Sequence, residues 1–143
     1  MPSPSTVVPT AGPSLVRGFA TLRVLVVDDH PAFREALTSA LELIDEIEVA
    51  GEAGGGLDAC REAAEIEPDV VLLDLSMPDL SGFDTMQRIH ERDPALPVVI
   101  LTANADPDVE AHARRAGASG FVAKGTRLDE IVIVLQEATE PAG

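Results

Sequence analysis

The chain has 143 residues, of which 25 are acidic and 10 basic, so its net charge is −15. A chain of this length can bury one core and is expected to form one domain, whereas so negative a charge argues against direct nucleic-acid binding, which takes a clustered positive surface. The single cysteine, Cys60, excludes an internal disulfide. No apolar run approaches the roughly 20 residues of a transmembrane helix, and no secretory signal is seen. We therefore expect a cytoplasmic protein without membrane contact.

The first 20 residues are rich in proline, serine, threonine and glycine and are predicted to be a disordered leader. The ordered domain is predicted over residues 21–139, followed by a tail at residues 140–143. Its first strand is the β-branched run Leu22–Val27, and apolar residues at helical spacing predict a first helix over Pro31–Leu43. Further strands are predicted at 46–50, 70–73, 97–102 and 120–123, and further helices at 57–67, 83–93, 109–116 and 128–138.

This alternation of five strands with five helices predicts an α/β fold. Each connection is long enough to cross over between parallel strands with the usual right hand. We therefore expect a doubly wound sandwich, in which a five-stranded parallel sheet lies between two layers of helices.

Asp74 stands at the end of the most apolar strand, directly after Val70–Leu73. Four consecutive apolar residues indicate a strand buried on both faces. Open α/β sheets bind their ligands beyond the carboxyl ends of such strands, which makes Asp74 a candidate site residue. The alternative is that Asp74 only begins a turn or caps the next helix.

Other polar residues occupy the same position on the neighbouring strands. Asp28 and Asp29 follow the first strand, Thr102 ends the fourth, and Lys124, the only lysine, follows the fifth. Three carboxylates brought together repel one another unless a cation lies between them, and an all-oxygen site of this kind suits Mg²⁺. The ammonium of Lys124 could contact a carboxylate and then a phosphoryl oxygen; the alternative is a surface lysine placed there by chance.

These motifs resemble the receiver domain of bacterial two-component response regulators over about Leu22 to Ala138. The matching segments are Asp28-Asp29-His30-Pro31, Asp74 with Met77-Pro78 and Gly82, Leu101-Thr102-Ala103, and Phe121-Val122-Ala123-Lys124. The first of them, together with the helical segment Phe33-Arg34-Glu35-Ala36-Leu37 and the lack of proline after Lys124, is most similar to the receivers of NarL/LuxR-type transcription factors. The resemblance implies a flavodoxin-like strand order, 2-1-3-4-5.

The resemblance also implies the roles of the acidic residues. Asp74 would be the phosphoacceptor, taking a phosphoryl group from a sensor histidine kinase or a phosphotransfer protein. Asp29, Asp74 and the backbone carbonyl of Ser76 would hold Mg²⁺, and Asp28 would act mainly through a metal-bound water. Lys124 would contact the phosphoryl oxygens.

By the same resemblance, Thr102 and Phe121 would form the switch. The Thr102 hydroxyl would bond the phosphoryl group, and the Phe121 ring would turn from an exposed to a buried setting. The alternatives are an ordinary threonine at a strand end and an ordinary core aromatic. Gly82 is interpreted as a turn residue tolerant of positive φ. His30 borders the acidic pocket and is interpreted as the start of the first helix, and His90 and His112 are interpreted as solvated.

The predicted function is a phosphorylation-activated switch that signals through protein–protein contacts, either with a downstream protein or with a second copy of itself. Its only chemistry would be self-phosphorylation and autodephosphorylation at Asp74, so it is not otherwise expected to be an enzyme. An alternative is the receiver portion of a NarL-type DNA-binding transcription factor whose helix-turn-helix domain is not in this chain. A remote alternative is an Mg²⁺-dependent aspartyl phosphatase, although such enzymes place their nucleophile after the first strand.

Overall fold

The computed structural model describes residues 14–16 and 19–140. In chain order, its elements are β1 (Ser14–Val16), β2 (Phe19–Val27), α1 (Pro31–Glu42), β3 (Ile47–Ala53), α2 (Gly56–Ile66), β4 (Val70–Asp74), α3 (Gly82–Arg92), β5 (Val98–Thr102), α4 (Pro107–Arg115), β6 (Gly120–Ala123) and α5 (Leu128–Ala138). Within this part of the chain, no helix is long and apolar enough to cross a membrane.

Five parallel strands form the main sheet in the order β3-β2-β4-β5-β6. Counted without β1, this is the order 2-1-3-4-5, so the predicted fold is confirmed. The register pairs Val27 with Leu73, Asp74 with Leu101 and Thr102 with Ala123. The carboxyl ends of β2, β4, β5 and β6 therefore lie side by side along one edge of the sheet.

The N-terminal segment departs from the predicted disordered leader. Ser14–Val16 pairs antiparallel with Phe19–Thr21, so β1 is an additional short strand and β2 begins three residues before Leu22. Leucine, valine and phenylalanine in these segments favour extended backbone. Pairing the two segments provides hydrogen-bond partners for that extended backbone. The rest of the predicted leader and the last three residues of the predicted tail lie outside the described residues.

The second parallel strand is longer than predicted. The sequence pattern predicts its end at Ala50, whereas β3 extends to Ala53 because Leu25, Val26 and Val27 pair with Gly51, Glu52 and Ala53 after a register shift. The alternation of apolar and polar residues within one strand does not reveal a register shift, because the register depends on the partner strand.

Two apolar layers cover the sheet, one on each face. Val24 and Val26 of β2 pack with Leu41 of α1 and Leu135 of α5. The intervening residues Leu25 and Val27 face the opposite layer, which α2, α3 and α4 supply through residues such as Ala59, Met86 and Ala113. This alternation follows from the two-residue period of a strand, and it fixes which residues can reach the carboxyl edge of the sheet.

Gly82 brings the loop after β4 close to the sheet. A Cβ at this position would lie 2.6 Å from the carbonyl oxygen of Asp74 and 2.6 Å from the Cα of Leu75. Its φ is not positive; Gly117 and Gly125 are the glycines with positive φ in the described chain. The predicted reason for Gly82 is therefore wrong, and the requirement is close contact between backbones.

Candidate functional site

The three carboxylates predicted to cluster do lie together at the carboxyl edge of the sheet. Asp28 and Asp29 follow β2 and Asp74 ends β4. One side-chain oxygen from each of them and one ring nitrogen of His30 all lie within 4.8 Å of one another. The structure therefore places a compact acidic pocket where the sequence predicts a cation site.

Burial makes this pocket unusual for acidic residues. Asp28 is fully buried and Asp74 is 2% exposed. Asp28 Oδ2, Asp29 Oδ1 and Asp74 Oδ2 are buried oxygens whose charged or polar neighbours are the Lys124 ammonium and the His30 ring. Three carboxylates this close repel one another, so the pocket favours positive charge, from Lys124 and from a bound cation.

The remaining oxygens of Asp28 and Asp74 are held by the backbone. Asp28 Oδ1 accepts a hydrogen bond from the His30 N–H at 2.8 Å, and Asp74 Oδ1 accepts one from the Ser76 N–H at 3.2 Å. Each carboxylate is thus oriented with its other oxygen toward the shared pocket. The contribution of the Ser76 carbonyl to a metal site stays a prediction.

Lys124 lies between the two buried carboxylates. Its Nζ is 2.8 Å from Asp28 Oδ2 and 3.5 Å from Asp74 Oδ2, and its side chain is 16% exposed. The same Nζ lies 4.7 Å from the centroid of the Phe33 ring on α1. These contacts do not fit the alternative of a chance surface lysine, because Asp28, Asp74 on β4 and Phe33 on α1 together direct the ammonium into the pocket.

The pKa of the Asp74 carboxyl is raised above its ordinary value. Burial is the largest cause, since removal from water disfavours the charged form. The hydrogen bond from Ser76 lowers the pKa, the nearby Asp28 raises it, and Lys124 lowers it. The ionised form of Asp74 therefore depends on positive charge in the pocket, and a divalent cation would add to the charge of Lys124.

The donor set of the pocket fits Mg²⁺. Its acidic ligands are all oxygens, which hard cations prefer, and Mg²⁺ normally combines one or two carboxylates with retained waters. The clustered oxygens of Asp28, Asp29 and Asp74 provide positions for such an ion.

Thr102 and Phe121, the predicted switch residues, occupy neighbouring strands. Thr102 is 4% exposed, and its Oγ1 accepts the N–H of Asn104 at 3.0 Å. Among the described residues none accepts the hydroxyl hydrogen of Thr102. Phe121 is half-buried and packs against the layer that α2, α3 and α4 cover, so its ring lies between the two extremes of the predicted switch. The coupling of the two residues stays a prediction.

His30 lies where the sequence predicts, at the border of the acidic pocket and at the start of α1, with its ring against Asp28 and Asp29. Two residues near the pocket were missed as site residues in the sequence. Phe33, expected only in a helical stripe, contacts Lys124. Arg34 donates to the carbonyl oxygen of Asp28 at 2.6 Å and reaches Glu52 on β3 at 3.2 Å. Only the tertiary structure reveals these contacts of Phe33 and Arg34.

Asp79 ties the loop after β4 to helix α2. Its two carboxylate oxygens accept the backbone N–H groups of Gly56 and Leu57 at 3.0 and 3.1 Å. These hydrogen bonds lower the pKa of the Asp79 carboxyl, because they favour its charged form. The loop that carries Ser76 is therefore anchored at two points after Ser76, by Asp79 and by the close approach of Gly82.

The two other histidines lie outside the pocket. His90 Nε2 is 2.9 Å from the carbonyl oxygen of Leu96, so the expectation that His90 is simply solvated is wrong. The exposed His112 ring makes a T-shaped contact with Phe83, with 4.5 Å between the centroids. The sequence could not predict these contacts of His90 and His112, because the pattern of polar residues on a helix does not show which residues pack against it.

The chain is similar to known proteins over most of its length. Residues 24–136 match the family described as the response regulator receiver domain. The response regulator GacA of Pseudomonas aeruginosa is 34% identical over 116 residues, which cover 81% of this chain and 54% of that protein. The chain spans about half the length of the curated relatives it matches.

Two solved structures share the fold at substantial sequence identity. A two-component response regulator of the LuxR family from Aurantimonas sp. SI85-9A1 has a TM-score of 0.77 and 33% identity, with 81% of this chain and 83% of that chain covered. The signal receiver domain of a response regulator designated NarL, from Mycobacterium tuberculosis, has a TM-score of 0.76 and 36% identity, with 85% and 98% covered. Both agree with the resemblance seen in the sequence motifs.

Proposed function

The chain belongs to the response regulator receiver domain family, and from this premise we propose that it is a switch controlled by phosphorylation of Asp74. The observation that supports this assignment best is the Asp74 carboxylate itself. It is buried at a strand end, and its Oδ2 lies 3.5 Å from the ammonium of the only lysine of the chain. A carboxylate in this setting can act as a nucleophile toward a phosphoryl group.

In the proposed reaction, Asp74 Oδ2 attacks the phosphorus of a phosphohistidine on a sensor histidine kinase or a phosphotransfer protein. A phosphorus–oxygen bond forms, the phosphorus–nitrogen bond breaks, and its electron pair and a proton from solvent remain on the imidazole. The hydrogen bond from Ser76 to Oδ1 keeps the attacking oxygen turned into the pocket. Such a transfer depends chiefly on positioning and charge neutralisation.

We propose Mg²⁺ as the cofactor, held by Asp29, Asp74 and the Ser76 carbonyl, with Asp28 acting through water. When bound, the ion would neutralise negative charge on the phosphoryl oxygens. Lys124 would supply a second positive charge. Its Nζ rests nearer Asp28 than Asp74, so the ammonium is positioned to move toward a phosphoryl group on Asp74 without leaving the pocket.

The hydroxyl of Thr102 would then donate to a phosphoryl oxygen, and Phe121 would turn inward to occupy the space that Thr102 leaves. We propose that the resulting surface change acts through protein–protein contacts, with a downstream protein or a second copy of the chain. No catalysis beyond self-phosphorylation and autodephosphorylation is proposed. A cytoplasmic location and no direct contact with nucleic acid or membrane are part of the same proposal.

A second candidate is the receiver portion of a longer DNA-binding transcription factor. It is supported by the relatives, which include curated transcriptional regulatory proteins of Bacillus subtilis and of which this chain spans about half. The LuxR-family structure agrees with it. The switch would be the same in both cases, and only the partner of the switched surface would differ. The aspartyl phosphatase alternative has less support, because the candidate nucleophile ends β4 rather than following the first parallel strand.

The test is the intact mass of the protein after incubation with Mg²⁺ and acetyl phosphate. The wild type is expected to gain one phosphoryl group and Asp74→Asn none. Glu91→Gln, a change to an exposed carboxyl on α3 outside the pocket, should still gain one. A wild type that gains no phosphoryl group while binding Mg²⁺, or an Asp74→Asn variant that gains one, would contradict the proposal.

A further inference from the structure

Arg34 is a cation beside the acidic pocket to which the proposed phosphoryl transfer gives no task. It lies near the start of α1, and its side chain is 18% exposed. Its Nη1 donates a hydrogen bond to the backbone carbonyl oxygen of Asp28 at 2.6 Å, and its Nε donates one to Glu52 Oε1 on β3 at 3.2 Å. The guanidinium therefore joins the loop that follows β2 to the end of β3.

The carbonyl that Arg34 contacts belongs to the peptide group that joins Asp28 to Asp29. A peptide group is planar, so fixing its oxygen restricts the direction in which the chain leaves it on both sides. On the other side of Asp28, the backbone N–H donates to the carbonyl oxygen of Ala53 at 3.1 Å. Together, the two hydrogen bonds hold the backbone of this acidic pair against the end of β3.

The surroundings of the guanidinium favour this one position. A guanidinium is planar and presents its donors in a fixed fork, so bonds to two acceptors define its orientation. Glu52 is 40% exposed, and an ion pair so open to water adds little stability by itself. Gly54 leaves space for the guanidinium, because a Cβ there would lie 3.2 Å from Nη1. The main effect of these contacts is therefore to hold Nη1 against the carbonyl oxygen of Asp28.

The charge of Arg34 would act on a metal ion in the opposite direction to this positioning. A positive charge near the pocket repels a cation, so its removal should by itself strengthen Mg²⁺ binding. Loss of the hydrogen bond to the Asp28 carbonyl should weaken Mg²⁺ binding, because the carboxylates of Asp28 and Asp29 would lose their fixed spacing. The sign of the change in affinity therefore separates the two effects.

We propose that Arg34 is a positioning residue that strengthens Mg²⁺ binding at the acidic pocket by fixing the peptide group between Asp28 and Asp29. The inference rests on the proposed function, in which Asp29 binds Mg²⁺ directly and Asp28 binds it through water. Groups that orient metal ligands from outside contribute about 10–100-fold to metal affinity. Among the described residues, no hydrogen bond or ion pair joins Arg34 to Asp74 or Lys124. Arg34 should therefore affect phosphoryl transfer mainly through the metal.

The test is Mg²⁺ binding measured by calorimetry on Arg34→Met, which keeps an unbranched side chain and removes the charge and both donors. We expect this variant to bind Mg²⁺ at least about tenfold more weakly than the wild type. Arg61→Met is the matched control, since Arg61 is an exposed arginine on α2 that also pairs with a carboxylate, that of Asp58. It loses the same charge, and its Mg²⁺ affinity should stay within about twofold of the wild type, because an exposed pair of this kind contributes little.

The Mg²⁺ dependence of phosphorylation by acetyl phosphate gives a second readout. In Arg34→Met, the Mg²⁺ concentration that gives half the maximal rate should rise about tenfold, and the rate at saturating Mg²⁺ should stay close to that of the wild type. A merely structural role would lower stability in urea unfolding with cations chelated and would leave that Mg²⁺ concentration unchanged.

Arg34→Lys is the second variant, and it decides the matter if Arg34→Met does not fold. Lysine keeps the charge but cannot bond the Asp28 carbonyl and Glu52 in the fork geometry of a guanidinium. Its Mg²⁺ affinity should therefore lie below that of the wild type and above that of Arg34→Met.

Three results would overturn the inference. They are Mg²⁺ binding as tight as the wild type, or tighter, in Arg34→Met or, where that variant is unfolded, in Arg34→Lys; an equal loss of affinity in Arg61→Met; and a lower rate at saturating Mg²⁺ with an unchanged half-saturating concentration. Failure of the proposed function is distinguishable from all three. In that case the wild type itself would not bind Mg²⁺ or would gain no phosphoryl group.

Discussion

At Asp74, burial and neighbouring charge act in opposite directions. Burial and Asp28 favour the neutral carboxyl, whereas Ser76 and Lys124 favour the charged one, and the net result is a raised pKa. A group of this kind stabilises the fold when it is protonated and opposes folding when it is ionised. The raised pKa of Asp74 therefore lowers the stability of the fold at neutral pH, where the carboxyl is ionised inside a buried pocket.

The pH dependence of stability follows from this shift. Because the folded pKa of Asp74 is raised, its favourable contribution is present below the ordinary pKa of aspartate and is lost as pH rises through the folded value. The wild type should therefore lose stability relative to Asp74→Asn across that window, by up to about 1.4 kcal/mol per pH unit. Urea unfolding at a series of pH values, with divalent cations chelated, measures the difference.

Glu91→Gln is the control for that series, since Glu91 is an exposed carboxyl on α3 outside the pocket. Its stability difference from wild type should not follow the same pH window. A stability gap between wild type and Asp74→Asn that stays constant with pH would contradict the raised pKa.

Phe33 is expected to act on Lys124 through the face of its ring. Cation–π contacts contribute about 0.5–1 kcal/mol at partly exposed sites, which corresponds to a rate effect of about two- to fivefold. If Lys124 acts as proposed, Phe33→Leu should slow phosphorylation by acetyl phosphate by that factor, and Phe33→Tyr should keep the wild-type rate. The rate is followed by intact mass at saturating Mg²⁺. Equal rates in the leucine and tyrosine variants would mean that the ring face has no part in placing the ammonium.

At the scale of the elements, the loop between β4 and α3 is the best-defined part of the site. Gly82 brings the start of α3 against the end of β4, and Asp79 binds the first N–H groups of α2. The loop is thereby fixed to two helices while it carries Ser76 next to Asp74. The precision of the pocket therefore depends on residues that have no chemical task in it.

Gly82→Ala tests this arrangement. The new Cβ would lie 2.6 Å from the carbonyl oxygen of Asp74, so the loop must shift, and overpacking of this kind costs about 1–3 kcal/mol. Urea unfolding should show the loss, and Mg²⁺ affinity should fall with it. An alanine at residue 82 that leaves both quantities unchanged would contradict the close approach.

At the scale of the whole molecule, the parallel sheet gathers residues far apart in the sequence at one edge. Asp28 ends up beside Asp74 and Lys124 because β2, β4 and β6 all point the same way. The net charge of −15 adds a general attraction for cations. A cation in the pocket should therefore stabilise the whole fold.

This linkage can be measured directly. An ion that binds only the folded state adds about 2.7 kcal/mol to the free energy of unfolding when its concentration is 100 times its Kd. Mg²⁺ should stabilise the wild type by such an amount in urea unfolding, and Asp29→Asn by clearly less. The comparison buffer contains sodium chloride of equal ionic strength, which separates site binding from screening. Equal stabilisation of both proteins would place the Mg²⁺ effect outside the pocket.

The sequence by itself determined the alternation of strands and helices and the residues at the strand ends. Apolar runs such as Val70–Leu73 and helical stripes such as that of α1 are local patterns, and a parallel sheet brings every strand end to one edge. The pocket of Asp28, Asp29 and Asp74 with Lys124 was therefore predictable as a group of residues. The burial of the pocket and the distances among its charged atoms were not predictable.

Only the tertiary structure decided the contacts made across elements. The antiparallel β1, the extension of β3 to Ala53 and the Phe33 ring beside Lys124 each depend on a partner that is distant in the chain. Gly82 shows the same limit, because the sequence indicates a small residue but not the carbonyl oxygen that a Cβ would meet. Local patterns encode which residues face inward, whereas distances between side chains are set by how the layers pack.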